Sequence, residues 1–190
     1  MRIYWDRIEV GTLDDRSRIA MTTMRPSASE LRWRGFSEAN APDGRELYAS
    51  AAGFDYDRVS PFSPWKQMTG RYTREGDVLD LLTRTDDRFV IGRPGDEIAL
   101  TFDASRVPPL PPGWTRTFLL HADGFSKEMD LSSASPDEVE PLPYHGMKQY
   151  PYHPSAAPAS MNTAAYRDYV ARYNTRIVKK SVPPLELLAR

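Results

Sequence analysis

The strongest pattern along the chain is an alternation of apolar and polar positions between residues 98 and 102. Ile98, Leu100 and Phe102 alternate there with Ala99 and Thr101, which is the period of a half-buried strand. The same period, or a short bulky run bounded by turn residues, predicts further strands before residue 123. These candidate strands cover residues 1–10, 19–24, 31–35, 71–73, 78–84, 88–91 and 114–122.

Turn-forming residues separate the candidate strands. Gly76-Asp77 and Asp86-Asp87 predict tight turns, and the PPLPPG run at residues 108–113 predicts a rigid break. Short strands at this spacing, with no helical pattern between them, favour an all-β fold over a parallel α/β fold. The prediction is an antiparallel β-sandwich of jelly-roll type.

The region between residues 40 and 64 breaks the alternation. Its prolines and glycines predict a long loop. Long loops on compact domains often carry function, and aromatic rings suit both sugar faces and apolar partners. The candidate ligand-binding residues of this loop and its end are Phe54, Tyr56, Phe62 and Trp65.

The carboxyl-terminal part of the chain follows a different pattern. Residues 140–154 read EPLPYHGMKQYPYHP, and the four prolines hold much of this segment extended. We predict a stiff tail docked on the domain, with its tyrosine rings packed and its hydroxyls in solvent. One helix should follow, capped by Asn162 or Thr163, with an apolar stripe at helical spacing that packs on the sheet and consists of Tyr166, Tyr169, Val170 and Tyr173.

These patterns predict a division into two parts. Residues 1–139 form the β-sandwich domain, and residues 140–190 form the Pro/Tyr-rich tail and terminal helix, docked on that same domain. A chain of 190 residues with 40% hydrophobic content is sufficient for one compact core.

The composition of the chain argues against several classes of function. The formal net charge is -1 with a pI near 6.3, so no basic field would gather nucleic acid or anionic lipid. No apolar run approaches the ~20 residues that span a bilayer, so membrane insertion is not predicted. Cysteine is absent, which excludes disulfides and thiolate metal sites. Residues 1–10 carry charges within a strand-like pattern and predict no signal peptide, so we expect the chain to be one part of a longer polypeptide.

One long run resembles a known family. The stretch LPPGWTRTFLLHADGFSKEMDLSSASPDEVEPLPYHGMKQYPY at residues 110–152, with RIYWDRIEV at 2–10 and YNTR at 173–176, is similar to the carboxyl-terminal region of bacterial FG-GAP/VCBS-repeat proteins that carry an ASPIC/UnbV domain, relatives of cartilage acidic protein. The resemblance implies an extracellular or periplasmic setting and an upstream β-propeller or ASPIC region as partner. It implies context and partners, with no established chemistry.

Two sets of residues are candidate metal ligands. Asp123, Glu128 and Asp130 supply carboxylates of the kind that calcium prefers, although the alternative for Asp123-Gly124 is a hairpin turn. His121, His145 and His153 would form a transition-metal site if the fold brought them together. The alternative for His145 is a ring nitrogen that fixes the turn at Gly146.

Catalytic and cofactor motifs are missing from the sequence. Neither GxSxG nor a phosphate-binding glycine loop occurs, and the paired aspartates read as solvated turn formers. We therefore favour a noncatalytic binding or assembly module with no cofactor, which contacts a neighbouring domain or a glycan through its aromatic loop. The alternative is a metal-dependent enzyme built from His121, Asp123, His145 and His153, which requires these side chains to share one ion.

Overall fold

The protein is represented by a computed structural model that describes residues 19–39, 54–62, 67–127 and 133–179. In chain order these residues form β1 (Ala28–Trp33), β2 (Phe36–Ala39), β3 (Phe54–Ser60), β4 (Gly70–Tyr72), α1 (Leu79–Leu82), β5 (Asp96–Thr101), α2 (Ala164–Tyr173) and β6 (Arg176–Val178). Short 3₁₀ helices lie at Ala104–Arg106, Pro154–Ala156 and Ala159–Asn162. No helix in these ranges is both long enough and apolar enough to cross a membrane.

The described strands pair in three small antiparallel sheets, β1 with β5, β2 with β3 and β4 with β6. The architecture is therefore mainly β. The strands predicted around residues 31–35, 71–73 and 98–102 are confirmed by β1, β4 and β5. In β1 the buried positions Ser29 and Leu31 alternate with exposed ones, as the period of two requires.

The main core lies where α2 packs against β1 and α1. Its buried residues are Leu31, Val78, Leu81, Tyr169 and Tyr173. Thr163 caps α2 as predicted, because its side chain accepts a hydrogen bond from the Tyr166 backbone nitrogen at 3.2 Å. The tyrosine stripe is thus core, and burial raises the pKa of Tyr169 to about 12, so this residue keeps its proton and donates to the Phe89 carbonyl at 2.7 Å.

A second core joins β4 to the start of the proline-rich tail. Met68, Tyr72 and Val139 are buried together. The backbone of Val139 donates to the Thr69 carbonyl at 2.8 Å, and Thr69 donates back to Asp137 at 2.8 Å. Lys127 lies across this junction and donates to the Val139 carbonyl at 3.2 Å.

Several predicted strands are wrong. Residues 78–84 contain α1, because Val78 and Leu81 reach the same core at a helical spacing of three and Asp77 accepts a hydrogen bond from the Leu79 backbone at 2.9 Å. Residues 19–24, 88–91 and 114–122 form no strand. The predicted long loop is wrong for Phe54–Ser60, which is β3 and pairs with β2. The predicted strand at residues 1–10 lies outside the described residues.

The tail holds itself together through its tyrosine hydroxyls. Tyr150 donates to the Pro141 carbonyl, Tyr152 to Leu142 and Tyr144 to Ala156, each at 2.7 Å. The expectation that the hydroxyls stay in solvent is therefore wrong for Tyr150 and Tyr152, whose hydrogen bonds are partly buried, whereas that of Tyr144 is exposed. The backbone carbonyls that accept these hydrogen bonds are not paired with any described strand. The tyrosine hydroxyls therefore supply the hydrogen-bond donors that a neighbouring strand would supply in a sheet.

Candidate functional site

The most organised cluster of titratable residues surrounds His145. The backbone nitrogen of His145 donates to Asp87 Oδ1 at 2.7 Å, and its ring Nδ1 lies 3.0 Å from the same oxygen. Asp86 shapes the loop that carries Asp87, because it accepts from the Arg88 backbone at 2.9 Å and from the Arg88 guanidinium at 2.7 Å. The tail is thereby fastened to the loop after α1.

The other ring nitrogen of His145 faces a second carboxylate. Asp123 Oδ2 lies 3.6 Å from Nε2. The imidazole stacks on Phe89 and meets Phe125 edge-on, at centroid distances of 6.0 and 6.2 Å, and the two phenyl rings contact each other at 5.6 Å. The hydrogen bond with Asp87 raises the pKa of His145 above its ordinary value, and Asp123 adds to this effect. An imidazole oriented by one carboxylate and faced by another can hold or release a proton near neutral pH.

The structure brings together only part of the predicted metal set. His145 and Asp123 are neighbours, whereas His153 caps the 3₁₀ helix at Pro154–Ala156 by accepting from the Ser155 backbone at 3.2 Å. His121 is exposed, and Glu128 and Asp130 lie outside the described residues. Within the described ranges no three His, Asp or Glu side chains are arranged to hold one metal ion.

Sequence reasoning missed Asp87. The sequence assigned it to a solvated turn, and it assigned the His145 ring nitrogen to the turn at Gly146, whereas the structure pairs the two residues. They are 58 positions apart, so no local motif joins them. The sequence shows an acidic pair in a loop and a histidine in a proline-rich tail, but it does not show that they are in contact, because that contact is formed by the tertiary fold.

The predicted aromatic residues lie on and after β3. Phe54 is half-buried, and the side chains of Tyr56 and Phe62 are 71% and 81% exposed. Trp65 lies outside the described residues. Rings this exposed are free to meet a ligand. Tyr56 lies in the irregular part of β3, because the pairing with β2 shifts register after Asp55, and its carbonyl accepts a hydrogen bond from Arg34.

A second exposed apolar surface lies in the segment that was predicted to be a strand at residues 114–122. Phe118, Leu119 and Leu120 are 82%, 92% and 73% exposed. Their segment pairs with no strand in the part of the chain that the structure describes. We call these three residues the apolar triplet.

Comparison with protein-family models, with curated proteins and with solved structures finds no match to the chain.

Proposed function

We propose that the chain is a noncatalytic assembly module that packs against an upstream β-propeller-type region of an exported protein. The observation that carries this proposal is the apolar triplet, because three consecutive apolar side chains at 73% exposure or more are costly in water and typical of a protein contact. The family resemblance of residues 110–152 supplies the partner, since it includes the triplet itself.

The triplet suits strand addition to a partner sheet. Its segment has strand-like composition but lacks a ladder partner among the described residues, so its backbone groups are available for hydrogen bonds with a propeller edge. Burying the three side chains would supply the apolar contact area at the same place.

The test compares two variants of the chain. The first replaces Phe118, Leu119 and Leu120 by serine, and the control replaces Ile19 and Met21, which are equally exposed at 85%, by serine. Association with the propeller region of the full coding sequence is measured by calorimetry. We expect the triplet variant to bind at least about tenfold more weakly and the control to bind normally. Equal binding by both variants, or a coding sequence without a propeller, would contradict the proposal.

The architecture proposed for this module is a jelly-roll-like sandwich. Antiparallel pairing in all three described sheets and the alternate burial along β1 support it. An experimental structure of the module bound to its neighbour should show further ladders that join these sheets. Isolated strand pairs in that complex would rule the sandwich out.

A glycan is the second candidate ligand, favoured by the exposure of Tyr56 and Phe62. Aromatic faces pack on sugar rings. Glycan-array binding that Tyr56→Ala and Phe62→Ala abolish, with the triplet variant unaffected, would favour this ligand over the propeller.

The competing enzyme hypothesis requires a bound metal at His145 and Asp123. A metal held only by the folded chain must raise the melting temperature. Elemental analysis of the purified chain, with thermal melts in EDTA and in added calcium or zinc, separates the two functions. A stoichiometric metal whose removal lowers the melting temperature would favour the enzyme.

A further inference from the structure

An open cleft of about 330 Å³ lies where β4, the proline-rich tail and α2 meet. Its apolar wall is formed by Ile91, Leu142, Met161 and Val170. A cavity of this volume is at the small end of the range that binds small molecules. The residues that line the cleft belong neither to the apolar triplet nor to the exposed pair Tyr56 and Phe62. A ligand of the cleft would therefore bind at a site distinct from the proposed propeller and glycan contacts.

Two opposite charges line this cleft without neutralising each other. Arg71 projects from β4 and Glu140 from the first turn of the tail, and both are exposed. Neither side chain forms a hydrogen bond or an ion pair with another residue in the described ranges, and they do not pair with each other. Lys127 lies within the field of Glu140, but its ammonium is engaged with the Val139 carbonyl at 3.2 Å.

The position of Glu140 is fixed by the second core. Reciprocal backbone hydrogen bonds between Thr69 and the 137–139 segment hold the tail beside β4. Gly70 allows the carboxylate to lie against the strand, because a Cβ atom there would be 2.5 Å from Glu140 Oε2 and 2.8 Å from Val139 Cβ. Arg71, the next residue, lines the same cleft as Glu140.

A third polar group of the cleft also lacks an internal partner. The Tyr152 hydroxyl donates to the Leu142 carbonyl at 2.7 Å, whereas the Tyr166 hydroxyl makes no hydrogen bond to a described residue. Tyr166 is half-buried at the start of α2. A partly buried hydroxyl gains from a hydrogen-bonding ligand.

We propose that this cleft binds a small zwitterion with an apolar body, of the class of apolar amino acids. The ligand carboxylate pairs with Arg71, whose planar guanidinium suits bidentate binding, and the ligand ammonium pairs with Glu140. The apolar side chain lies on the wall formed by Ile91, Leu142, Met161 and Val170, and Tyr166 supplies one further hydrogen bond. Opposite charges that line one cleft and do not pair with each other match a ligand that carries both charges.

The test uses L-leucine as the probe, with N-acetyl-leucine and leucinamide as comparators that lack the ammonium and the carboxylate charge respectively. Binding to the purified chain is followed by NMR chemical-shift titration up to about 10 mM, where weak binding is still measurable. We expect leucine to bind and each comparator to bind at least about tenfold more weakly. No leucine binding in this range would overturn the proposal.

Two variants of the cleft then test which charged group of the ligand each side chain binds. Arg71→Gln should weaken leucine about tenfold and leave leucinamide unchanged, and Glu140→Gln should weaken leucine about tenfold and leave N-acetyl-leucine unchanged. Arg84→Gln, an exposed arginine away from the cleft, is the matched control and should bind leucine normally. Because all three residues are exposed, melting temperatures should stay close to that of the unmodified chain. Leucine binding that survives both cleft variants would place the ligand elsewhere.

Discussion

His145 joins two parts of the chain through a charge that changes near neutral pH. Its pKa is raised in the folded state by Asp87 first and by Asp123 second, and no other described charge contacts the ring. Protonated His145 therefore stabilises the fold fully below its unfolded pKa, about 6.5, and this contribution is lost as the pH rises through the higher folded pKa. Because the ring is exposed, solvent screens the effect and keeps it small.

Replacement of the histidine should remove this pH dependence. We expect His145→Gln to flatten the decline in the free energy of unfolding that begins as the pH rises above about 6.5. The measurement is urea denaturation at several pH values. His121→Gln, which changes an exposed histidine outside the cluster, should retain the decline, and a retained decline in His145→Gln would show that the pair does not stabilise the fold.

Both the backbone conformation at position 95 and the nearby Trp33 ring require glycine there. Its φ is +93°, and a Cβ atom would lie 2.4 Å from the Trp33 ring, which itself packs under Arg93 at 4.5 Å. Gly95→Ala should therefore lower the free energy of unfolding by about 2 kcal/mol or more. Gly113→Ala is the control, because φ there is +79° but its Cβ would meet no atom within 4 Å. Equal losses in urea denaturation would exclude the Trp33 contact as a cause.

At the level of elements, α2 contributes two core tyrosines and depends on its first turn. Thr163→Ala removes the side-chain acceptor of the Tyr166 backbone and should lower the free energy of unfolding by about 1 kcal/mol. Thr163→Ser keeps that acceptor and should cost much less. Thermal or urea denaturation of the two variants measures the difference, and similar losses would mean that the cap is not the cause.

Local periodicity was sufficient to predict α2 and β1, because the buried face of each element can be read from the element's own sequence. Tyr169 and Tyr173 lie four residues apart on a helix, and Leu31 lies on an alternating strand, so the pattern alone predicts which side is buried. Val78 and Leu81 were misread because a one-turn helix and a short strand carry similar apolar runs. The segment around Phe118 was misread because composition favours a strand but cannot supply the strand beside it.

At the scale of the whole molecule, a largely buried ion pair joins β6 to the start of β5. The Arg176 guanidinium binds Asp96, whose side chain is only 3% exposed, with Arg93 on the same carboxylate at 3.3 Å. The pair spans 80 positions, so no sequence pattern could have predicted it. The same holds for Asp87 with His145, and for the cleft, whose lining comes from β4, the loop at Ile91, the tail and α2.

Loss of Arg176 should affect stability far more than loss of a surface arginine. Arg176→Met leaves the buried Asp96 charge with Arg93 alone and should lower the free energy of unfolding by about 3 kcal/mol. Arg58→Met breaks an exposed pair with Glu38 and should cost less than about 1 kcal/mol. Both values come from urea denaturation, and equal effects would show that Asp96 tolerates the loss of its partner.

Residues that pack together in this fold are synthesised at widely separated times during translation. Thr73 and Asn174, which share a buried hydrogen bond at 3.2 Å, are 101 positions apart. The pairs between β4 and β6, from Tyr72 with Arg176 to Gly70 with Val178, are more widely separated still. Leu31, Val78 and Leu81 are therefore translated long before Tyr169 and Tyr173 can cover them. In a nascent chain stalled before residue 164, Tyr169 and Tyr173 are not yet present to cover the other three residues of the main core. We therefore expect chaperones to engage this chain during translation and to release it only after α2 and β6 have been made.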